Sequence, residues 1–395
     1  MPDLVANIQA FVVTIPREKA LYGGLKARPT EKVNAKGYFV RAENRTVYPS
    51  SDRSIVIKMT TESGLVGWGE TYGIVAPGAT LALIEELLGD FVIGRDPMDR
   101  EAIHDDLYDM QRVRGYNGGY YLDALAGLDI ALWDLAAKQS QCSVAKLLGG
   151  VRRTKIPAYI SGLPKATLAE RAEYAKEWQA KGFNCFKFAS PFATEGVVQE
   201  VQALRSALGE DAKIACDLLW AYKAHDSVPL IQSMAKHGLW FAEAPVPSED
   251  IDGLAWVANK VDTAIAVGEE WRTAYDAKAR ISRNACHIVQ PEMGHKGITE
   301  FMRIARYAEA HHLEVIPHAT IGTGIFMAAS LQASATIAAC SYHEFQHQVF
   351  LKNLRYVNTD MACENGFYSL PSGPGLGVEL DEKAIAPYVS HVISI

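Results

Sequence analysis

The sequence predicts an α/β protein: a barrel of parallel strands wrapped by helices, behind an α+β front domain onto which a loop-rich C-terminal tail folds back. Three observations carry this. From Ile156 onward, short apolar runs alternate with stretches of helical spacing, the grammar of a parallel sheet covered by helices. Ahead of that point the chain reads as strands first and helices after. Finally Asp217, Glu243 and Glu269 each end a short apolar run, 26 residues apart, an interval of about one strand, one loop and one helix.

In order, Val5 to Ile15 alternates weakly and predicts an opening strand. Residues 17–50 are polar and basic with few apolar anchors, and read as a long loop. A hairpin follows: Ser54 to Met59 alternates, Glu62-Ser63-Gly64 turns, and Leu65 to Glu70 returns. Thr80–Val92, Met98–Met110 and Tyr121–Gln139 have helical spacing. Barrel strands are expected near 156–160, 184–188, 214–217, 239–243, 264–268, 287–290 and 313–317, with a last one near 344–350. Between them lie helices such as Leu168–Lys181, Gly196–Leu208 and Ile298–His311. The domains are then 1–135 in front, with 361–395 packing back on it, and 136–360 as the barrel.

At 395 residues the chain is long for one core, and its composition is that of an ordinary globular protein. A net charge of −7 and the lack of a Lys/Arg stripe argue against nucleic acid. No apolar run is long enough for a membrane span, and the first residues lack a signal-peptide layout. Six scattered cysteines without a CxxC pair read as buried free thiols, which fits a reducing cytoplasm.

If the three apolar runs are consecutive barrel strands, Asp217, Glu243 and Glu269 emerge at one rim, the C-terminal rim where barrel active sites lie. Three carboxylates in one mouth repel unless a hard divalent cation neutralises them, and oxygen ligands suit Mg²⁺.

Several passages, in order, resemble the mandelate racemase/muconate lactonising branch of the enolase superfamily. They are Gly64 to Glu70, Gly127-Leu128-Asp129-Ile130-Ala131-Leu132-Trp133-Asp134-Leu135, Leu147 to Gly150, Gly268-Glu269-Glu270-Trp271 and Pro374 to Val378. The resemblance implies an α+β capping domain over a modified TIM barrel, one Mg²⁺ per subunit, and a reaction that begins with loss of the proton α to a substrate carboxylate. It also implies a homo-oligomer, an octamer or smaller. The family's metal positions fall on Asp217, Glu243 and Glu269, with Glu270 standing where relatives usually carry Asn.

The same resemblance makes His318 the general base or acid, paired with Glu292 at the end of the sixth strand, and Glu344 the eighth-strand acid. Kept protonated, Glu344 would donate a hydrogen bond to the enediolate. A carboxylate on one imidazole nitrogen fixes the tautomer and raises basicity at the other. On the second strand, where relatives with two-base chemistry carry Lys-x-Lys, this chain has Lys187-Phe188-Ala189. Lys187 is then expected to bind the substrate carboxylate or serve as an acid. After Asp217 come Leu218-Leu219, where relatives often have a polar residue. Tyr22, Lys26, Arg28, Lys32, Lys36, Arg41 and Arg45 form a basic front segment suited to an anionic, hydroxyl-rich substrate. Tyr22 and His295 are further candidates for substrate contact.

A base on one face only disfavours racemisation or epimerisation, which needs one on each. Dehydration needs a base plus an acid for the leaving hydroxyl, and His318, Lys187 or Tyr222 could supply that proton. A cycloisomerisation by β-elimination calls on the same groups. The sequence therefore predicts a hydro-lyase acting on a sugar acid. A cycloisomerase or an epimerase is the alternative, and a non-catalytic barrel that binds metal and carboxylate is a further one.

Overall fold

The computed structural model describes residues 2–17, 31–41, 45–319 and 322–395. Tyr22, Lys26 and Arg28 lie outside the described residues.

The front domain is built on an antiparallel sheet of four strands. Val5–Pro16 pairs on one side with Ser51–Thr61 and on the other with Val389–Ser394, so the end of the tail completes the sheet. Val66–Tyr72 forms the far edge as the return strand of the expected hairpin. Helix Gly119–Gln139 lies across this sheet. Three glycines permit the approach. A Cβ on Gly69 would stand 2.1 Å from the Gly127 carbonyl oxygen, one on Gly67 2.5 Å from Leu135, and one on Gly127 2.5 Å from Ile57. That is the physical content of the Gly-Trp-Gly and Gly-Leu-Asp passages. Two buried acids on the helix then pin it. Asp134 accepts from the backbone N–H groups of Trp68 and Leu376, both at 2.8 Å. Asp129 accepts from Thr299 N at 2.9 Å and Thr299 Oγ1 at 2.6 Å, tying the helix to the barrel.

Among the described residues, eight parallel strands follow: Lys155–Ser161, Cys185–Ala189, Lys213–Asp217, Leu239–Glu243, Ala264–Val267, Ile288–Val289, Glu314–Val315 and His343–Phe345. Neighbours in sequence pair from the first to the seventh, and the eighth pairs back on the first. The seam between seventh and eighth is held by a single Val315–Cys340 bridge and by Glu344 N donating to the Pro317 carbonyl at 3.2 Å. Strand alternation sends Tyr159, Cys185, Ala215, Phe241, Ala266, Ile288 and Ile316 into the barrel, where they fill its interior. The faces between strands and helices form the larger core.

Three elements differ from expectation. The eighth strand ends at Phe345, because Gln346 turns the chain into helix His347–Asn353. The sixth-strand helix begins early, at Met293, with Glu292 as its cap and a break at Gly297 (φ 68°), where any Cβ would meet Asp129. The tail divides between the two domains: Phe367–Ser369 pairs antiparallel with the first barrel strand, and only Val389–Ser394 joins the front sheet. The six cysteines are free, and all but Cys142 are buried.

Candidate active site

The C-terminal ends of the strands converge on a cavity of ≈ 150 Å³ lined in part by Lys187, Asp217, Glu269, His318 and Glu344. Asp217, Glu269 and His318 lie at or just past the ends of their strands and Lys187 and Glu344 within theirs, so the backbone ladder itself aims the side chains at one point.

Lys187 is buried inside the second strand. Its Nζ stands 2.7 Å from Glu243 Oε2 and 3.1 Å from Glu344 Oε1. Burial alone would lower the pKa of this ammonium; Glu243 and Glu344 outweigh it and hold the pKa well above the usual lysine range. Gln290 also donates to Glu243 Oε2, at 3.0 Å. The other oxygen, Glu243 Oε1, is buried with no hydrogen-bond partner.

His318 sits in a vise of carboxylates. Nδ1 is 2.6 Å from Glu292 Oε2, and Nε2 is 2.7 Å from Glu269 Oε2 and 3.5 Å from Glu344 Oε2. Against burial, the negative charges of Glu269 and Glu344 raise its pKa well above the ordinary imidazole value. Glu269 responds in the opposite sense: despite burial, His318 draws its pKa down to about 2. The structure thus brings Glu292 and His318 together although Glu replaces the usual Asp. The longer side chain reaches the ring while its other oxygen caps the following helix through Gly294 N at 3.2 Å.

Glu344 lies between two cations: in the substrate-free arrangement His318 and Lys187 more than offset burial and lower its pKa. As a carboxylate it accepts from Ala319 N at 3.0 Å.

Asp217 accepts from Leu219 N at 2.9 Å, with Leu219 and Trp220 both in the left-handed region at φ 50° and 54°. Burial and the charge of Glu243 push the Asp217 carboxyl well above its usual range, and burial likewise raises Glu243. Glu243, Glu269 and His318 each offer a ligand atom within 4.8 Å of one another; Asp217 is not in that set, though the charges of Glu243 and Glu269 both act on it. The raised carboxyls of Asp217 and Glu243, the orphaned oxygen of Glu243 and the ionised Glu269 beside them fit a hard divalent cation with these three as oxygen donors. Glu270 does not line the cavity. Its buried Oε2 lacks a partner and burial raises its pKa, while Lys296 beneath donates to the Glu269 carbonyl at 3.0 Å.

Some expected contacts lie elsewhere. His295 stacks on Tyr72 (centroids 3.7 Å apart) and pairs through Nδ1 with Asp123 at 2.7 Å, so it braces the front domain against the sixth-strand loop and does not line the cavity. Tyr222 packs against the core and is likewise absent from the lining. Lys32, Lys36 and Arg45 are largely exposed and Arg41 is buried beside Glu31 at 3.3 Å; none of the four lines the cavity. Conversely, Tyr48 and Phe192 line it without having been anticipated, because nothing in their local sequence marks them. Gln290 did carry a signal: a polar residue ending the apolar run Ile288-Val289.

Residues 170–384 match the enolase C-terminal domain-like family, and residues 42–149 match the mandelate racemase/muconate lactonizing enzyme N-terminal domain. The chain belongs to the mandelate racemase/muconate lactonizing enzyme family. It is thus an enzyme of the enolase superfamily, and its fold is a capped, modified TIM barrel. Among members of that family, it is 32% identical to the D-galactarolactone cycloisomerase of Agrobacterium fabrum, over 85% of this chain and 90% of that one. It is 31% identical to the D-galactonate dehydratase of Ralstonia pickettii, over 86% of this chain and 92% of the other. A solved enolase-superfamily structure from Agrobacterium tumefaciens superposes with TM-score 0.96 at 55% identity, covering 99% of this chain and 100% of that one.

Proposed function

We propose that this enzyme removes the proton α to the carboxylate of a small sugar acid and then expels an oxygen substituent from the β-carbon. The observation that carries the reading is His318, held by Glu292 at Nδ1 with Nε2 facing the acidic cluster at the cavity. Glu292 orients the ring through Nδ1; the carboxylates favour the protonated ring in the substrate-free arrangement, so Nε2 must give up its proton before it can take the α-proton. Glu269 occupies that nitrogen in the substrate-free arrangement, so a substrate must displace the contact before His318 can act. Asp217, Glu243 and Glu269 would hold Mg²⁺, which when bound counters the charge developing on the substrate carboxylate. Lys187, fixed between Glu243 and Glu344, adds a cation to the floor of the cavity and helps hold the carboxylate. Relatives named as a D-galactonate dehydratase and a D-galactarolactone cycloisomerase support a sugar acid or its lactone as substrate. When the β-substituent is hydroxyl the enzyme is a dehydratase; when it is a ring oxygen the enzyme is a cycloisomerase.

The test is incubation with Mg²⁺ in D₂O against aldonic acids, aldaric acids and their lactones, scoring 2-keto-3-deoxy products and deuterium at carbon. Turnover that is lost on chelation and restored by Mg²⁺ is expected. Absence of any α-exchange across the whole set would refute the assignment.

A further inference from the structure

Lys296 is a buried charge that the proposed reaction does not use. Its side chain is 2% exposed, and its single hydrogen-bond partner among the described residues is the Glu269 carbonyl, 3.0 Å from Nζ. No carboxylate among them lies close enough to pair with it. Glu292, Glu270 and Glu269 attract it only at longer range, against burial and the like charge of Arg272. Glu270 Oε2 is itself buried without a partner. An unpaired buried ammonium costs stability, and a methionine of similar length would fill the space without that cost. Stability therefore does not account for a lysine here.

Its place in the fold does. Residues 292–297 make one tight turn at the sixth-strand rim, and the polar groups along it tie to different elements. Glu292 holds His318 Nδ1 at 2.6 Å, the Gly294 carbonyl accepts from Thr71 of the front hairpin, and His295 pairs with Asp123 of the long helix. Lys296 supplies the link to the fifth strand. The helix breaks immediately afterwards at Gly297, so these ties set the turn. On the other side of the link, the fifth strand ends at Val267, and Gly268 turns the chain at φ 130°, a backbone that favours glycine. Glu269 thus lies beyond the strand ladder, and Lys296 holds its carbonyl instead.

Resting on the metal site proposed above, we infer that Lys296 is a positioning residue: it anchors the Glu269 backbone so that this carboxylate meets the cation in register with Glu292 and His318. Anchor and charge predict opposite outcomes. A cation near a divalent site repels the ion, so removing the charge alone would tighten metal binding. Removing the anchor frees Glu269 and weakens binding, by the roughly 10- to 100-fold usual when the support of a metal donor is lost.

The experiment titrates Mg²⁺ alone into the wild type and Lys296→Met by calorimetry, with thermal melting of the metal-free proteins to check the fold. Lys296→Met should raise the Mg²⁺ dissociation constant about tenfold or more. A lysine with a structural role alone would shift the melting temperature and leave that constant where it is. A dissociation constant equal to or below the wild-type value overturns the inference and leaves the metal site standing. Should Lys296→Met not fold, Lys296→Gln, neutral and one atom shorter, is judged by the same criterion. A wild type that takes up no Mg²⁺, or takes it up equally well after Asp217→Asn, overturns the metal site and the inference with it.

Discussion

The fifth-, sixth- and seventh-strand side of the mouth and the second- and third-strand side meet the front domain in different ways. On the first, three consecutive residues of one hairpin strand each grip a catalytic loop. Glu70 accepts from the backbone N–H groups of Thr323, Ile325 and Phe326 and from Ser54 Oγ. Thr71 donates to the Gly294 carbonyl at 2.7 Å, and Tyr72 stacks on His295. Asp123, from the long helix, reaches His295 at 2.7 Å and Arg272 at 3.1 Å. On the second side the cavity is walled by Tyr48, Phe192 and Leu219. The contrast teaches that the front domain frames the polar side through a hydrogen-bonded brace, where sub-ångström placement of His318 matters, and lends Tyr48 to the apolar side.

Removing the base should have the largest effect. His318→Asn keeps a small polar group but loses the imidazole that accepts the proton, so α-exchange should fall by about 10³-fold or more. Exchange at the wild-type rate would move the base to the other wall and dissolve the distinction between the two sides.

Next comes the brace. Glu70 is fully buried, and Glu70→Ala would strand three backbone donors at the start of helix Ile325–Ser334. A loss of about 3 kcal/mol in urea unfolding is expected, as for other broken buried networks. Glu70→Gln keeps the size and one acceptor oxygen, and should lower kcat more than it raises KM by loosening the loop that follows His318. Equal stability of the alanine variant would mean that the hairpin grips nothing of consequence.

Lys187 joins the two sides beneath the cavity. Lys187→Ala leaves Glu243 and Glu344 without their shared cation, and KM should rise roughly tenfold, the worth of one charged hydrogen bond. An unaltered KM would remove Lys187 from the substrate-binding floor and leave it a structural ion pair.

How far the sequence reveals this contrast follows from what each side is made of. The acidic cluster and the histidine pair are legible because they stand in periodic positions: Asp217, Glu243 and Glu269 recur with the strand–helix repeat, and His318 and Glu292 close apolar runs. Gly67, Gly69 and Gly127 are likewise legible as close packing once the hairpin and helix are recognised. The brace itself is not. Asp123–His295 spans 172 residues, and a long-range ion pair leaves no mark in either local pattern. The apolar wall is half legible. Ala189 and Leu219 stand out as departures at strand ends, while Tyr48 and Phe192 arrive on irregular segments whose direction only the folded chain determines. The protonation state of Glu344 was illegible for the same reason, since it depends on Lys187 and His318 arriving from other strands.

A stability measurement tests how tightly the segment just past the eighth strand is packed. His347 is buried, its Nε2 lies 2.8 Å from the Tyr174 hydroxyl, and burial drops its pKa from 6.5 to about 4. A histidine whose folded pKa is depressed takes up its proton more readily when unfolded. Its stabilising contribution is therefore complete above pH 6.5 and is lost as the pH falls toward 4, by at most about 3 kcal/mol. His347→Gln cannot titrate in that window, so the stability gap between the wild type and this variant should shrink in the variant's favour from pH 7 to pH 4. Urea unfolding of both proteins at several pH values reads the gap directly. A constant gap would mean that His347 protonates as easily folded as unfolded, and hence that the packing of Tyr174 and Trp178 around it opens to water.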